Sequence, residues 1–247
     1  MDSIRAKLAE GGSLFGTWIG LANTISAEII GQAGYDFVII DTQHGGISTG
    51  DLLPLLQVFD FKNTPALVRV NWTDPAQIMC ALDRGAAGVV VPMVSNADQA
   101  RIAAEAVRYP PRGIRSFGPV RTYYSSEGVV ADPICLVMVE TAEAMEHLDA
   151  IASTPGVDGI LVGPVDLALS LGLGPAMVMP PDVFVAMDRI VAACQRHNII
   201  SASAALGLGN ARELMNRGVQ MIVNGADSLF IRTGAAAAIK EMRGWQA

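Results

Sequence analysis

The feature that most constrains the fold is a short apolar run that recurs eight times along the chain. Runs rich in Val, Ile, Leu and Ala are typical of parallel strands that are buried on both faces. The eight runs are Leu14–Leu21, Asp36–Ile40, Ala66–Val70, Gly88–Val94, Ile134–Val139, Gly159–Val162, Ile199–Ala204 and Met221–Asn224. Their recurrence predicts a sheet of eight strands.

Stretches with helical periodicity separate most of these runs. Examples are Ala97–Tyr109, Ala142–Ala152, Val183–His197 and Asn210–Gly218. Strands that alternate with helices indicate βαβ units and a parallel sheet. Eight such units within 247 residues predict a single α/β domain over residues 1–247, a (β/α)8 TIM barrel. A doubly wound open sheet is the alternative, but it usually has fewer strands.

The composition narrows the class of partner and the compartment. The formal net charge of −7 argues against nucleic acid or an anionic membrane surface. No apolar run approaches the roughly 20 residues of a membrane span, and Met1–Leu8 lacks the apolar core of a signal peptide. The cysteines Cys80, Cys135 and Cys194 are far apart, which favours reduced thiols over disulfides. We therefore expect a cytoplasmic protein.

Polar residues follow several of the predicted strands. The C-terminal ends of the strands of a barrel meet on one face, where active sites are built. Glu140 and Asp166 follow strands five and six, and two carboxylates at one mouth suit a hard divalent cation such as Mg²⁺ or Mn²⁺. The alternative is that each carboxylate merely caps the next helix.

Two further candidates follow strands two and three. Arg69 could stabilise an enolate oxygen or bind a carboxylate, or it could simply form an ion pair with Glu140 or Asp41. His44 lies three residues after Asp41, which favours a general base over a purely structural histidine.

The remaining candidates are less specific. Gly163, Pro164 and Val165 leave backbone amides near Asp166 that could bind a carboxylate, although a simple turn is the alternative. Trp18 could form the floor of a pocket or fill the barrel.

The lysines limit the possible chemistry. The chain has three, Lys7, Lys62 and Lys240, and their positions in the predicted barrel do not suit a Schiff base with a carbonyl substrate. We expect no nucleotide cofactor either, so a metal would have to act as the electron sink.

Several segments together resemble the HpcH/HpaI aldolase family, the metal-dependent class II aldolases that act on 2-oxo acids. The segments are Gly16–Gly20, Ile40–His44, Arg69, Leu82–Ala86, Val91–Val94, Arg108–Gly113, Val139–Thr141 and Gly163–Leu167. The resemblance implies that Glu140 and Asp166 bind Mg²⁺, Mn²⁺ or Co²⁺ and that Arg69 stabilises a pyruvate enolate. It implies that His44 is the base for the aldol hydroxyl and that Asp83 raises its basicity.

The resemblance also implies an assembly. The family forms hexamers, as trimers of dimers, in which the last helix is exchanged between subunits. Ser228–Trp245 would then pack on a neighbouring copy. Asp83 precedes strand four, at the far end of its own barrel, so either a neighbouring subunit supplies it or strand four is placed differently from this prediction.

Two positions depart from the family pattern. Gln43 stands where the family usually has glutamate, and Met138 stands where it usually has glutamine. Both are candidate substrate contacts, and both changes bear on rate and specificity more than on the class of reaction.

The sequence therefore predicts a lyase that cleaves a 4-hydroxy-2-oxo acid to pyruvate and an aldehyde. The substrate could be 4-hydroxy-2-oxoheptanedioate, from aromatic degradation, and the arginines of the segment 108–133 slightly favour such a dianion. Alternatives are a 2-keto-3-deoxy sugar acid aldolase, an acyl-CoA lyase of the citrate-lyase type, and a barrel that binds a 2-oxo acid without turning it over.

Overall fold

Eight parallel strands form a closed barrel, in which neighbours in sequence are also neighbours in the sheet. The computed structural model describes residues 4–121, 123, 132–175 and 178–245. The strands are β1 (Leu14–Ile19), β2 (Phe37–Asp41), β3 (Ala66–Arg69), β4 (Gly88–Val91), β5 (Ile134–Val139), β6 (Gly159–Val162), β7 (Ile200–Ala205) and β8 (Met221–Ala226). The predicted (β/α)8 barrel is confirmed.

Helices surround this barrel. They are α1 (Ile4–Ala9), α2 (Thr24–Gly31), α3 (Leu52–Phe61), α4 (Pro75–Asp83), α5 (Ala97–Val107), α6 (Ala142–Glu146), α7 (Leu148–Ala152), α8 (Pro164–Ser170), α9 (Pro181–His197), α10 (Leu208–Asn216) and α11 (Asp227–Gly244), with a 3-10 turn at Thr49–Asp51. None of the helices in the described ranges is long and apolar enough to cross a membrane.

Several strand bounds differ from the predicted ones by one to three residues, and the differences at the C-terminal ends of β4 and β8 bear on the site. The run Gly88–Val94 predicts a strand that is longer than β4, which ends at Val91. The reason is Met93, whose φ of 57° lies in the left-handed region, outside the conformation of a strand. At β8 the opposite occurs, because the strand continues two residues beyond the predicted Asn224 to Ala226.

The interior of the barrel explains why polar groups meet at one end. Side chains alternate between the two faces of a strand. Ile39 of β2, Leu67 of β3 and Met138 of β5 all belong to the inner apolar cluster. Two residues further along, the same inward register places Asp41 and Arg69 at the ends of their strands and Glu140 just after β5. The apolar core thus gives way to charged side chains at the C-terminal mouth.

Candidate active site

A cavity of about 450 Å³ opens at the C-terminal ends of the strands. It is lined by Trp18, Gly20, Asp41, His44, Gly45, Gly46, Arg69, Met138, Gly163, Pro164, Val165, Asp166, Ala204, Leu206, Ala226 and Ser228. Most of the residues that the sequence singles out are therefore brought together here.

A buried ion pair fixes the orientation of Arg69. Its Nε and Nη2 donate to the two carboxylate oxygens of Asp41, at 2.9 and 2.7 Å. The guanidinium also lies over the ring of Trp18, 4.3 Å from the centroid. The alternative of an ion pair with Asp41 is thus observed, and Trp18 lines the cavity. A bidentate pair holds the guanidinium plane rigidly, while Nη1 has no hydrogen-bond partner among the described residues.

Glu140 is a buried carboxylate that lies behind Gly163. It is 3% exposed, and its Oε1 accepts a hydrogen bond from the backbone N–H of Met93 at 2.8 Å. A Cβ built on Gly163 would overlap Oε2 of Glu140, so only glycine leaves room for the carboxylate. Burial raises the pKa of Glu140 to about 7, and the negative charge of Asp166 adds to that shift.

Asp166 follows β6, as the sequence predicts, but a helix begins between the strand and this residue. It lies in the first turn of α8, which begins at Pro164, two residues after β6 ends at Val162. The segment at Gly163 and Pro164 is therefore the start of a helix and not a simple turn. Anion binding by the backbone N–H groups of this segment stays a prediction, to which Pro164 cannot contribute a donor because proline has no N–H. Asp166 is exposed to the cavity, whereas Glu140 is buried.

The donor set fits a magnesium-like cation. Within the described ranges no group of three or more His, Cys, Asp or Glu side chains could hold a metal ion. Mg²⁺, however, usually keeps several waters and binds through one or two carboxylates. Glu140 and Asp166 supply two, and the pKa of Glu140 is raised partly because the two charges oppose each other. A divalent cation would relieve this repulsion.

The loop after β2 places His44 at the cavity. Oδ1 of Asp41 accepts hydrogen bonds from the backbone N–H groups of Gln43 and His44, at 3.1 and 3.2 Å. The same carboxylate therefore holds both Arg69 and this loop. The imidazole of His44 is exposed and has no hydrogen-bond partner in the part of the chain that the structure describes. Gln43 is half-buried and is not among the lining residues.

Asp83 lies away from the cavity. It ends α4, at the opposite end of the barrel, where its Oδ1 accepts a hydrogen bond from Nη2 of Arg115 at 2.8 Å. Within one chain Asp83 cannot act on His44, so its catalytic role still depends on a neighbouring subunit and stays a prediction.

The other arginines of the segment 108–133 are also paired at the far end. Arg108 binds Asp158 at 2.7 Å, Arg112 binds Asp132 at 3.4 Å, and Arg121 pairs with Asp60. None of these arginines lines the cavity of the chain as described. Within one chain, these arginines therefore do not support the prediction of a dianionic substrate.

The structure adds residues that the sequence reasoning missed. Gly20, Gly45 and Gly46 line the cavity, and Asp227 lies directly behind it, bonded to Gly20 N at 2.9 Å. Asp227 follows β8 as Glu140 follows β5, so the same strand-end pattern could have found it. The predicted end of that strand at Asn224 concealed the pattern.

Comparisons with known proteins agree with this geometry. A family model described as HpcH/HpaI aldolase/citrate lyase matches residues 14–233. A 4-hydroxy-2-oxo-heptane-1,7-dioate aldolase of Salmonella dublin is 34% identical, covering 96% of this chain and 92% of its own length. The crystal structure of a family protein from Burkholderia cenocepacia J2315 has a TM-score of 0.87 at 31% identity, over 98% of this chain and 100% of the other.

A third relative differs in its reaction. The crystal structure of the citrate synthase SbnG has a TM-score of 0.84 at 26% identity, over 99% of each chain. The matches over nearly the whole chain confirm the resemblance found in the sequence and the prediction of a carbon–carbon lyase. The chain belongs to the HpcH/HpaI aldolase/citrate lyase family.

Proposed function

We propose that this protein is a divalent-metal-dependent aldolase that cleaves a 4-hydroxy-2-oxo acid to pyruvate and an aldehyde. The observation that carries the proposal is the convergence of Glu140, Asp166, Arg69 and His44 at one end of the barrel. The curated relative from Salmonella makes 4-hydroxy-2-oxoheptanedioate the first substrate to test.

Arg69 is suited to hold negative charge on the pyruvate half. Cleavage leaves the electron pair of the broken C3–C4 bond on an enolate, whose oxygen needs a rigid positive partner. Asp41 fixes the guanidinium through Nε and Nη2, so its Nη1 can donate to that oxygen without reorganising.

His44 is suited to accept the proton of the C4 hydroxyl. As that proton leaves, the C4 oxygen becomes the aldehyde carbonyl and the C3–C4 bond breaks. A proton delivered to C3 of the enolate then completes pyruvate. The exposed imidazole at the cavity can exchange its proton with water between turnovers.

Glu140 and Asp166 are the groups that would hold the cation. When bound there, a divalent cation supplies a Lewis acid for the keto oxygen of the substrate. None of the three lysines lines the cavity within one chain, so they do not offer an equivalent there. Lys7 pairs with Asp36, Lys62 pairs with Glu28, and Lys240 is exposed on α11.

The test is pyruvate release, followed with lactate dehydrogenase and NADH, from 4-hydroxy-2-oxoheptanedioate, a shorter 4-hydroxy-2-oxo acid and a 2-keto-3-deoxy sugar acid. We expect activity with Mg²⁺, Mn²⁺ or Co²⁺ and its loss with a chelator. In calorimetry, Glu140→Ala and Asp166→Ala should abolish metal binding, whereas Glu143→Ala, an exposed carboxylate of α6, should not. Full activity in the chelated enzyme would refute the proposal.

A second candidate is carbon–carbon bond formation or cleavage with an acyl-CoA. The relative named a citrate synthase favours it. An assay with acetyl-CoA and oxaloacetate, measuring the release of free thiol, distinguishes the two reactions.

We also propose that the enzyme works as an oligomer, a hexamer as in the family, with α11 packed on a neighbouring copy. Apolar side chains of α11 are exposed, among them Ile231, Ile239 and Met242, and Trp245 directly after the helix is exposed as well. Light scattering during size-exclusion chromatography tests this, and a monomer at micromolar concentration would refute it.

A further inference from the structure

A buried carboxylate outside the predicted site joins α11 to the loop after β1. Asp227 is 1% exposed and is the one buried residue of α11, all of which the structure describes. Its Oδ1 accepts hydrogen bonds from the backbone N–H groups of Gly20 and Ser228, at 2.9 and 2.7 Å. Its Oδ2 accepts from Leu21 N at 3.1 Å and from Ser26 Oγ at 3.4 Å. A buried carboxylate is stable only when its oxygens are satisfied in this way, so these contacts hold Asp227 and the loop in one arrangement.

The loop after β1 in turn holds the loop that carries His44. The carbonyl oxygen of Gly20 accepts a hydrogen bond from Gly46 N at 2.8 Å, two residues after His44. The two backbones are in direct contact at Gly45, where an added Cβ would overlap the carbonyl oxygen of Asp41 and lie 3.1 Å from Cα of Gly20. A shift of Gly20 is therefore passed on to the His44 loop.

We propose that Asp227 is a positioning residue for His44. It fixes Gly20 from one side, and Gly20 fixes Gly46 from the other. Because the imidazole of His44 has no hydrogen-bond partner of its own within the described chain, its place in the cavity depends on the backbone of this loop. Asp41 holds the start of the loop through the N–H of His44, whereas Asp227 acts on its far side only through Gly20, whose carbonyl oxygen accepts from Gly46 N. The inference rests on the proposed role of His44 in cleavage.

A double-mutant cycle with His44 tests the inference, since two residues that act through one step do not have additive effects. Asp227→Ala should lower kcat for cleavage about tenfold or more, because a displacement of about 1 Å can cost up to roughly 10²-fold. In the His44→Ala background the same substitution should change kcat by less than about twofold. An equal fold loss in both backgrounds would overturn the positioning role.

Asp74→Ala is the matched control. Asp74 also places a carboxylate at the start of a helix, but it accepts hydrogen bonds from Ala76 N at 2.9 Å and Gln77 Nε2 at 3.2 Å, both within α4. We expect this substitution to act alike in both backgrounds. If Asp74→Ala also lowers kcat in the wild-type background but not in the His44→Ala background, general destabilisation explains the pattern. That result would overturn the inference.

Asp227→Asn covers the case in which the alanine variant does not fold. Asparagine keeps the shape and one acceptor oxygen, so we expect a smaller loss that again disappears with His44→Ala. A loss that persists there overturns the inference. A wild-type enzyme that releases no pyruvate would overturn the proposed function and this inference with it, whereas an active wild type with additive losses would overturn the positioning role alone.

Discussion

Gly163→Ala tests the placement of Glu140 without removing any charge. The backbone of Gly163, at φ −90° and ψ 93°, is one that alanine adopts readily, so the substitution brings no backbone strain. Its methyl group, however, would overlap Oε2 of Glu140 and approach Cε of Met138 at 3.2 Å. Because Met138 fills the buried interior, the carboxylate of Glu140 is the group that has to move.

The expected loss of metal affinity follows from the hydrogen bond that Glu140 loses. Moving the carboxylate breaks its hydrogen bond from Met93 N, and a hydrogen bond to a charged group is worth about 1.5–3 kcal/mol. If about 2 kcal/mol of this appears in metal binding, the affinity falls roughly 30-fold, at 1.4 kcal/mol for each factor of ten. We expect this loss in a calorimetric titration with Mn²⁺.

Gly46→Ala is the control for this titration. Gly46 lines the same cavity, but an added methyl group would lie 3.6 Å from Gly20 O, an ordinary contact. The affinity of the Gly46→Ala variant for Mn²⁺ should match that of the wild type. If Gly163→Ala also binds Mn²⁺ with unchanged affinity, Glu140 is not a ligand from the position that the structure gives it.

Three further predictions follow from the same geometry. Arg69→Ala should lower the rates of cleavage and of pyruvate methyl proton exchange by roughly 10²–10³, since both pass through the enolate; a loss of only one, measured by coupled assay and by NMR, would contradict the role of Arg69. Because burial, with the charge of Asp166, raises the pKa of Glu140 to about 7, this carboxyl is protonated below that pH in the metal-free protein. Metal affinity should therefore rise with pH up to about 7 and level off above it, with proton release seen by calorimetry in buffers of different ionisation enthalpy; a pH-independent affinity from 5 to about 8 would be inconsistent with this reading. Burial raises the pKa of Cys135 and Cys194 to about 12, so both stay protonated, and a thiol reagent at pH 8 should modify Cys80 alone in the native protein; more than one modified thiol per chain would argue against the packing around them.

The sequence predicts the barrel well because buried parallel strands carry a strong local signal. Runs such as residues 37–40 and Ile134–Val139 are apolar on both faces, and each is followed by a carboxylate, Asp41 or Glu140, that continues the inward register. That register places Asp41, Arg69 and Glu140 together at the C-terminal mouth, so their common location could be predicted from the strand ends alone.

The remaining parts of the site depend on long-range contacts that a local pattern does not contain. Nothing near Asp83 in the sequence shows that it pairs with Arg115 at the other end of the barrel. Likewise, the bidentate ion pair between Asp41 and Arg69 depends on the pairing of β2 with β3. Asp227 acts on Gly20, 207 residues earlier in the chain, and only the closure of the barrel brings the two together.

The most direct test of the central claim is the exchange of the pyruvate methyl protons for deuterium, followed by NMR in D₂O. The account predicts exchange with wild-type enzyme and Mg²⁺, and its loss with a chelator or with Glu140→Ala or Asp166→Ala, because these carboxylates hold the cation that enolate formation needs. Exchange that continues in the chelated enzyme, together with a pyruvate adduct trapped on a lysine by borohydride, would contradict the account.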